Sequence, residues 1–226
     1  MVFAPATVQG DLSVRPPRPI RHRLRIKVVA SRACVLVLPG GKMRSDEPSR
    51  WWQPANLRMV FLARALRRRL GPDVEVRRVQ YRLRGWNSPR WDPVRDAERV
   101  LAQVRQWCDP EHLVVVGHSM GGRVAAHLSA EGDVGAVVAL APWWHGEKAD
   151  LIPVGTRLLV VHGTADTRTD PHASRTQTLR ARERGLDAQW VGIEGVGHHM
   201  VRRWREWQLL TTDFVADYLA DGNPGR

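Results

Sequence analysis

Short β-rich runs alternate along this chain with longer stretches whose apolar residues recur at helical spacing. The runs fall at residues 35–38, 74–81, 113–116, 135–140, 158–161 and 188–193. Those at 35–38 and 113–116 are continuously apolar, as buried strands are. Between the first two, residues 56–70 place Leu57, Val60, Phe61, Leu62, Ala65 and Leu66 three and four positions apart, and Gly71-Pro72 ends the pattern. Further helices are expected from Asp92-Pro93 to about Trp107, over 121–130, from Asp170-Pro171 to Gly185, and over 202–219. The two Asp-Pro pairs each offer a capping side chain followed by a first-turn proline. This alternation predicts an α/β fold: a mostly parallel central sheet with helices on both faces. The length suits one domain, residues 23–226, after a flexible leader, residues 1–22, marked by Pro5, Pro16, Pro17 and Pro19.

In such sheets ligands gather beyond the carboxyl ends of the strands. Chemistry-bearing residues stand at just those places. Gly117-His118-Ser119-Met120-Gly121 follows the strand at 113–116 and opens a helix. A serine on so tight a turn needs strained backbone angles and small neighbours. It also sits at a helix N-terminus, where developing negative charge is favoured.

This pentapeptide resembles the G-x-S-x-G nucleophile elbow of the α/β-hydrolase family. The resemblance spans about residues 24–220, in five motifs in the family's order. His162-Gly163-Thr164-Ala165-Asp166 is similar to the family's H-G-x-x-D turn, and Gly197-His198 to its glycine–histidine turn. Pro39-Gly40-Gly41 resembles the H-G-x oxyanion loop, with proline where histidine is frequent. Arg84-Gly85-Trp86-Asn87-Ser88 loosely resembles an R-G-x-G-x-S turn. Asn87 replaces a glycine there and tolerates positive φ. The acidic residue that often precedes that turn is missing, and Tyr81-Arg82 stands in its region.

The resemblance implies a triad in the order Ser119, Asp166, His198. A serine becomes an effective nucleophile only when a base takes its proton, and the base needs a carboxylate to set its tautomer. Asp170 competes for the acid's role, but its place before Pro171 assigns it to a helix cap. His118 and His162 sit inside the motifs, shape turns and are read as structural, and His199 is read as a neighbour of His198 facing elsewhere. Two backbone N–H groups should hold the oxyanion: Met120, and Gly41 with Lys42 as the alternative.

Composition changes this picture little. A net charge of +12 favours anionic partners. Nearly all of it is arginine, since Lys27, Lys42 and Lys148 are the only lysines, and it runs from end to end without a nucleic-acid-binding motif. Nucleic acid is therefore not the expected partner. The nine histidines form no HxH or HExxH set, so no metal and no cofactor is expected. Cys34 and Cys108 lack CxxC spacing and read as reduced thiols. No apolar run approaches a membrane span and the first residues lack the order of a secretory signal, so a cytoplasmic location is expected.

Only residues 141–156 separate the strand after the elbow helix from the strand bearing the acid. That is too short for a substantial cap and predicts an open, shallow site. Trp143 and Trp144 in this segment are candidate pocket walls, and Trp51, Trp52, Trp86 and Trp91 fall in loops at the same edge. The expected activity is a serine hydrolase cleaving a carboxylic ester of a small soluble substrate through an acyl-enzyme on Ser119. The alternatives are a thioesterase, an amidase or peptidase, or a non-catalytic binding member of the fold.

Overall fold

Strands buried on both faces must send alternate side chains into two separate cores. The computed structural model of the protein describes residues 32–146 and 148–221; the leader expected at 1–22 lies outside them. Six strands form its sheet: β1 Ala33–Leu38, β2 Val74–Arg78, β3 Leu113–His118, β4 Ala136–Leu140, β5 Arg157–Gly163 and β6 Ala188–Ile193. Their order is β2-β1-β3-β4-β5-β6, and every neighbouring pair is parallel. Five helices accompany them among the described residues: α1 Pro54–Leu70, α2 Asp92–Val104, α3 Met120–Ser129, α4 Pro171–Glu183 and α5 Trp204–Asp221.

Val35, Val37, Val114 and Val116 face Met59, Leu62 and Leu66 of α1 and Trp207 and Val215 of α5. Cys34, Leu36, Leu113 and Val115 face the other way, toward Ala97 and Leu101 of α2, Val124 and Leu128 of α3 and Ala181 of α4. Leu36 is fully buried, so truncating it to alanine should cost about 2–5 kcal/mol. Both thiols are buried and free. Burial pushes the Cys34 thiol up to about 12.

The strand order places the site. β1 and β3 are neighbours, but the chain leaves β1 toward β2 and leaves β3 toward β4. Their following segments diverge and open a crevice at the carboxyl edge. Pro39-Gly40-Gly41 lines one side of it and Ser119 the other.

Some boundaries differ from expectation. The strand expected at 74–81 ends at Arg78, after which Val79 N–H still donates to Val37 O at 2.9 Å before the chain turns away. Asp92 is the first residue of α2 and not its cap. Trp91 takes that position in the left-handed region (φ 49°), and no side chain caps the helix. The Asp92 carboxylate is instead drawn inward, accepting from Asn87 Nδ2 at 2.9 Å. Asp170 does cap α4, its Oδ1 accepting from His172 N at 2.8 Å and Ala173 N at 3.1 Å. Between β4 and β5 stands only a 3-10 turn, Lys148–Leu151, so no separate cap domain is present among the described residues. No helix among them is long and apolar enough to cross a membrane.

Candidate active site

Ser119 joins β3 to α3 with φ 56° and ψ −116°. A non-glycine residue is costly in that region and persists only where its surroundings over-determine it. They do here. Its N–H donates to Leu140 O at 2.9 Å, and its carbonyl accepts from Gly122 N and Trp143 N, each at 3.0 Å. At Gly117 a Cβ would stand 2.1 Å from Gly121 O, so the turn closes only with glycine there.

The turn aims the serine at a histidine 79 residues further on. Ser119 Oγ lies 2.9 Å from His198 Nε2, and His198 Nδ1 lies 2.8 Å from Asp166 Oδ2. The structure thus brings together the three side chains singled out in the sequence. Asp170 stays at its helix cap. The Asp166 side chain is fully buried and that of His198 is nearly so.

Asp166 is surrounded by donors. Oδ1 accepts from the backbone of Arg168 at 2.8 Å and Thr169 at 3.0 Å, and Oδ2 from the Thr169 hydroxyl at 2.7 Å. His162 Nε2 stands 3.0 Å from Oδ2, beside His198. Burial alone would raise this carboxyl. The hydrogen bonds from His162, His198 and Thr169 outweigh burial and hold it well below the usual carboxylate range.

The sequence assigns His162 a structural place, and its geometry goes further. Its Nδ1 lies 2.8 Å from Ser174 Oγ, which accepts from Trp190 Nε1 at 3.0 Å. A buried polar chain therefore runs from β6 through α4 and β5 to Asp166, His198 and Ser119. Thr169 was also missed. Besides holding the carboxylate, its hydroxyl lies 3.1 Å from His198 Nδ1. The signal available in sequence was slight: a histidine four residues before the acid and a threonine three after it.

The segment after β1 packs against the elbow. A Cβ on Gly41 would meet Met120 Cε at 2.3 Å and Arg84 O at 2.5 Å. Lys42, the alternative oxyanion donor, is excluded because its N–H already donates to Arg84 O at 2.8 Å. Met120 is the first residue of α3, a position whose N–H lacks an intrahelical acceptor. His118 Nε2 lies 3.0 Å from His198 O, which ties down the His198 backbone. Burial keeps this imidazole neutral well below its ordinary range.

The turn at residues 84–88 adopts the conformation its sequence suggested, with Asn87 at φ 52°. The missing acid is replaced from elsewhere: Arg82 pairs with Asp96 of α2 at 2.7 Å, and Arg84 with Glu47.

Beside Asp166 lies a groove of about 810 Å³, lined among others by Trp143, Trp144, His145, Thr169 and Arg168. Trp143 is half-buried along it. Trp144 is only 5% exposed, its Nε1 donating to Gly122 O at 3.2 Å. Trp86 is buried, and Trp51 and Trp52 are exposed.

This fold has counterparts among known proteins. Alpha/beta hydrolase domain-containing protein 17B of Xenopus laevis is 25% identical over 56% of this chain, which spans 49% of that protein's length. An alpha-beta serine hydrolase homologue from Coxiella burnetii superposes with a TM-score of 0.61 at 19% identity, over 80% of this chain and 84% of the other. Est1E from Butyrivibrio proteoclasticus gives 0.62 at 13% identity, over 86% and 91%. Thermogutta terrifontis esterase 2, phosphoramylated by tabun, gives 0.62 at 18%, over 82% and 83%. At these identities the structural likeness speaks to the fold. The profile of the Alpha/beta hydrolase family matches residues 35–219, and the chain belongs to that family.

Proposed function

We propose that the protein is a serine hydrolase that cleaves a carboxylic ester of a small substrate through an acyl-enzyme on Ser119. The observation that carries this reading is the unbroken contact from Ser119 Oγ through the His198 ring to Asp166, 2.9 and 2.8 Å. In the proposed reaction His198 Nε2 takes the serine proton as Oγ attacks the acyl carbon, and Asp166 stabilises the imidazolium that forms. The N–H groups of Met120 and Gly41 receive the oxyanion. The imidazolium then protonates the departing alkoxide, leaving the acyl group on Ser119. Water, deprotonated by the same ring, attacks the acyl-enzyme; the ring returns that proton to Ser119 Oγ as the acyl–oxygen bond breaks and the acid is released.

The absence of a cap domain among the described residues favours small, freely diffusing substrates. Trp143, with less contribution from the buried Trp144, is the proposed apolar wall for the acyl group. Turnover of p-nitrophenyl esters of graded chain length, thioesters and aryl amides tests the reading. Short esters should be cleaved fastest. A protein that cleaves only thioesters or only amides has the same machinery with a different substrate, and one that cleaves none contradicts the proposal.

A further inference from the structure

Among the described residues the buried carboxylates have partners. Asp92, Asp96 and Asp166 each meet an arginine or a histidine. Arg123 does not. It lies one turn into α3 from Ser119, half-buried, and no carboxylate among the described residues reaches it. Its Nε is buried without an acceptor. Such a group is costly to leave unpaired in a half-dry site.

Its surroundings are aromatic and cationic. The guanidinium carbon stands 4.2 Å over the Trp86 ring and 4.7 Å over the Trp143 ring, two indoles set at 87° to each other. Next to Trp86 is His127 (ring centroids 5.4 Å apart), and Trp91 closes the cluster at 5.1 Å from His127. Trp86 Nε1 and His127 Nε2 are also buried without partners, so three orphaned polar atoms gather in one place. His127 is lowered to about 4, by burial first and then by the charges of Lys148 and Arg123. Lys148 likewise lacks a carboxylate within ion-pair distance among the described residues.

This cluster is tied to the nucleophile. The Ser119 carbonyl accepts from Trp143 N at 3.0 Å and is approached by Arg123 N at 3.4 Å. Arg123 and Trp143, one wall of the guanidinium's corner, are thus anchored on the same atom of the elbow.

We infer that Arg123 is an anion-recognition residue, and that the substrate of this site is an ester carrying a carboxylate on its acyl or leaving group. The inference rests on the hydrolase reading above. An arginine clamped against indoles keeps its planar fork pre-oriented and loses little freedom on pairing, which suits a planar carboxylate. Desolvation by the tryptophans strengthens the charge–charge attraction, and Lys148 adds to the local field. The indole faces also fit the apolar part of such an acid.

Two matched pairs of esters test this: 4-carboxyphenyl acetate against its methyl ester, and mono(4-nitrophenyl) adipate against 4-nitrophenyl hexanoate. Each kcat/KM is divided by the ester's spontaneous hydrolysis rate. In at least one pair the acid form should be preferred by at least about tenfold, the scale of a hydrogen bond to a charged group. Arg123→Gln should bring that ratio close to one, and Arg123→Lys, a point charge without the fork, should leave it in between. Binding without turnover is followed by tryptophan fluorescence. Benzoate should quench Ser119→Ala saturably, and adding Arg123→Gln should remove the response.

Equal handling of acid and neutral esters by the wild type, with ester turnover intact, overturns the inference and spares the hydrolase reading. Benzoate binding that depends on Arg123 in a protein cleaving no ester does the reverse. Arg58 is another half-buried arginine, whose charge bears on His118 and His199. If Arg58→Gln erases the preference and Arg123→Gln does not, Arg123 is the wrong residue.

Discussion

His162 and His198 approach the same oxygen, Asp166 Oδ2, at 3.0 and 2.8 Å. One imidazole is proposed to work as the base; the other is sealed inside, fully buried, and held by Ser174. Two rings on one oxygen fix where the carboxylate points, and the Thr169 hydroxyl and two backbone N–H groups complete the set. His162 is therefore expected to act as a positioning residue, its effect reaching Ser119 through Asp166.

Replacing it separates that role from simple packing. His162→Phe should lower kcat by about 10–100-fold, the range expected when a carboxylate loses one charge-assisted hydrogen bond. KM for a small ester should change little, and His162→Gln, which keeps a donor, should restore part of the rate. Loss of stability with kcat unchanged in the folded fraction would show a purely structural histidine.

The two aspartates of the loop before α4 should fail in different ways. Asp166→Asn should leave the fold nearly intact and reduce kcat by up to about 10⁴-fold, as when a triad histidine loses its orienting acid. Asp170→Ala should cost on the order of 1 kcal/mol through the lost cap while turnover persists. One melting curve and one rate assay per variant distinguish them. The reverse outcome would move the acid's role to Asp170.

Acid stability should report the buried histidines. His127 is lowered to about 4 and His118 lies well below its ordinary value, both chiefly through burial. As pH falls from about 6.5, the unfolded chain takes up protons at these positions and the folded chain refuses them. Stability should therefore decline between about pH 6.5 and 4. Asp166, held low, adds its own loss only below about 4, where an unfolded aspartate protonates. His127→Gln should flatten the melting temperature between pH 7 and 4.5, and parallel curves for variant and wild type would contradict this.

The positions of the candidate site were legible because its residues lie in short motifs at strand ends. Ser119, Asp166 and His198 each follow a strand by one to a few residues, so local pattern was enough to name them. What was not legible depends on distant packing. The chain from Trp190 through Ser174 to His162 joins β6, α4 and β5, and no local signal encodes it. The same holds for Arg123, whose corner is made by Trp86 and Trp143, tens of residues away on either side. At the start of α2 the cap rule misled because Asp92 found a better partner in Asn87 than in its own helix. The tryptophans were legible as a group but not one by one. Trp51 and Trp52 face outward, Trp86 and Trp144 are buried, and only tertiary contacts decide between these fates.

Substrate size follows from the segment between β4 and β5. With only a short 3-10 turn there, rates on soluble short-chain esters should rise smoothly with concentration and show no jump when the ester forms an emulsion. Activity confined to emulsified long-chain esters would require a cover over the site that the described residues do not supply.

A fluorophosphonate probe reports the proposed activation of Ser119 by His198 without needing the natural substrate. The wild type should be labelled at Ser119 with one probe per chain. Ser119→Ala should take up none, and His198→Ala, in which no ring accepts the serine proton, should be labelled far more slowly. Labelling and full ester turnover that survive in Ser119→Ala would contradict the account.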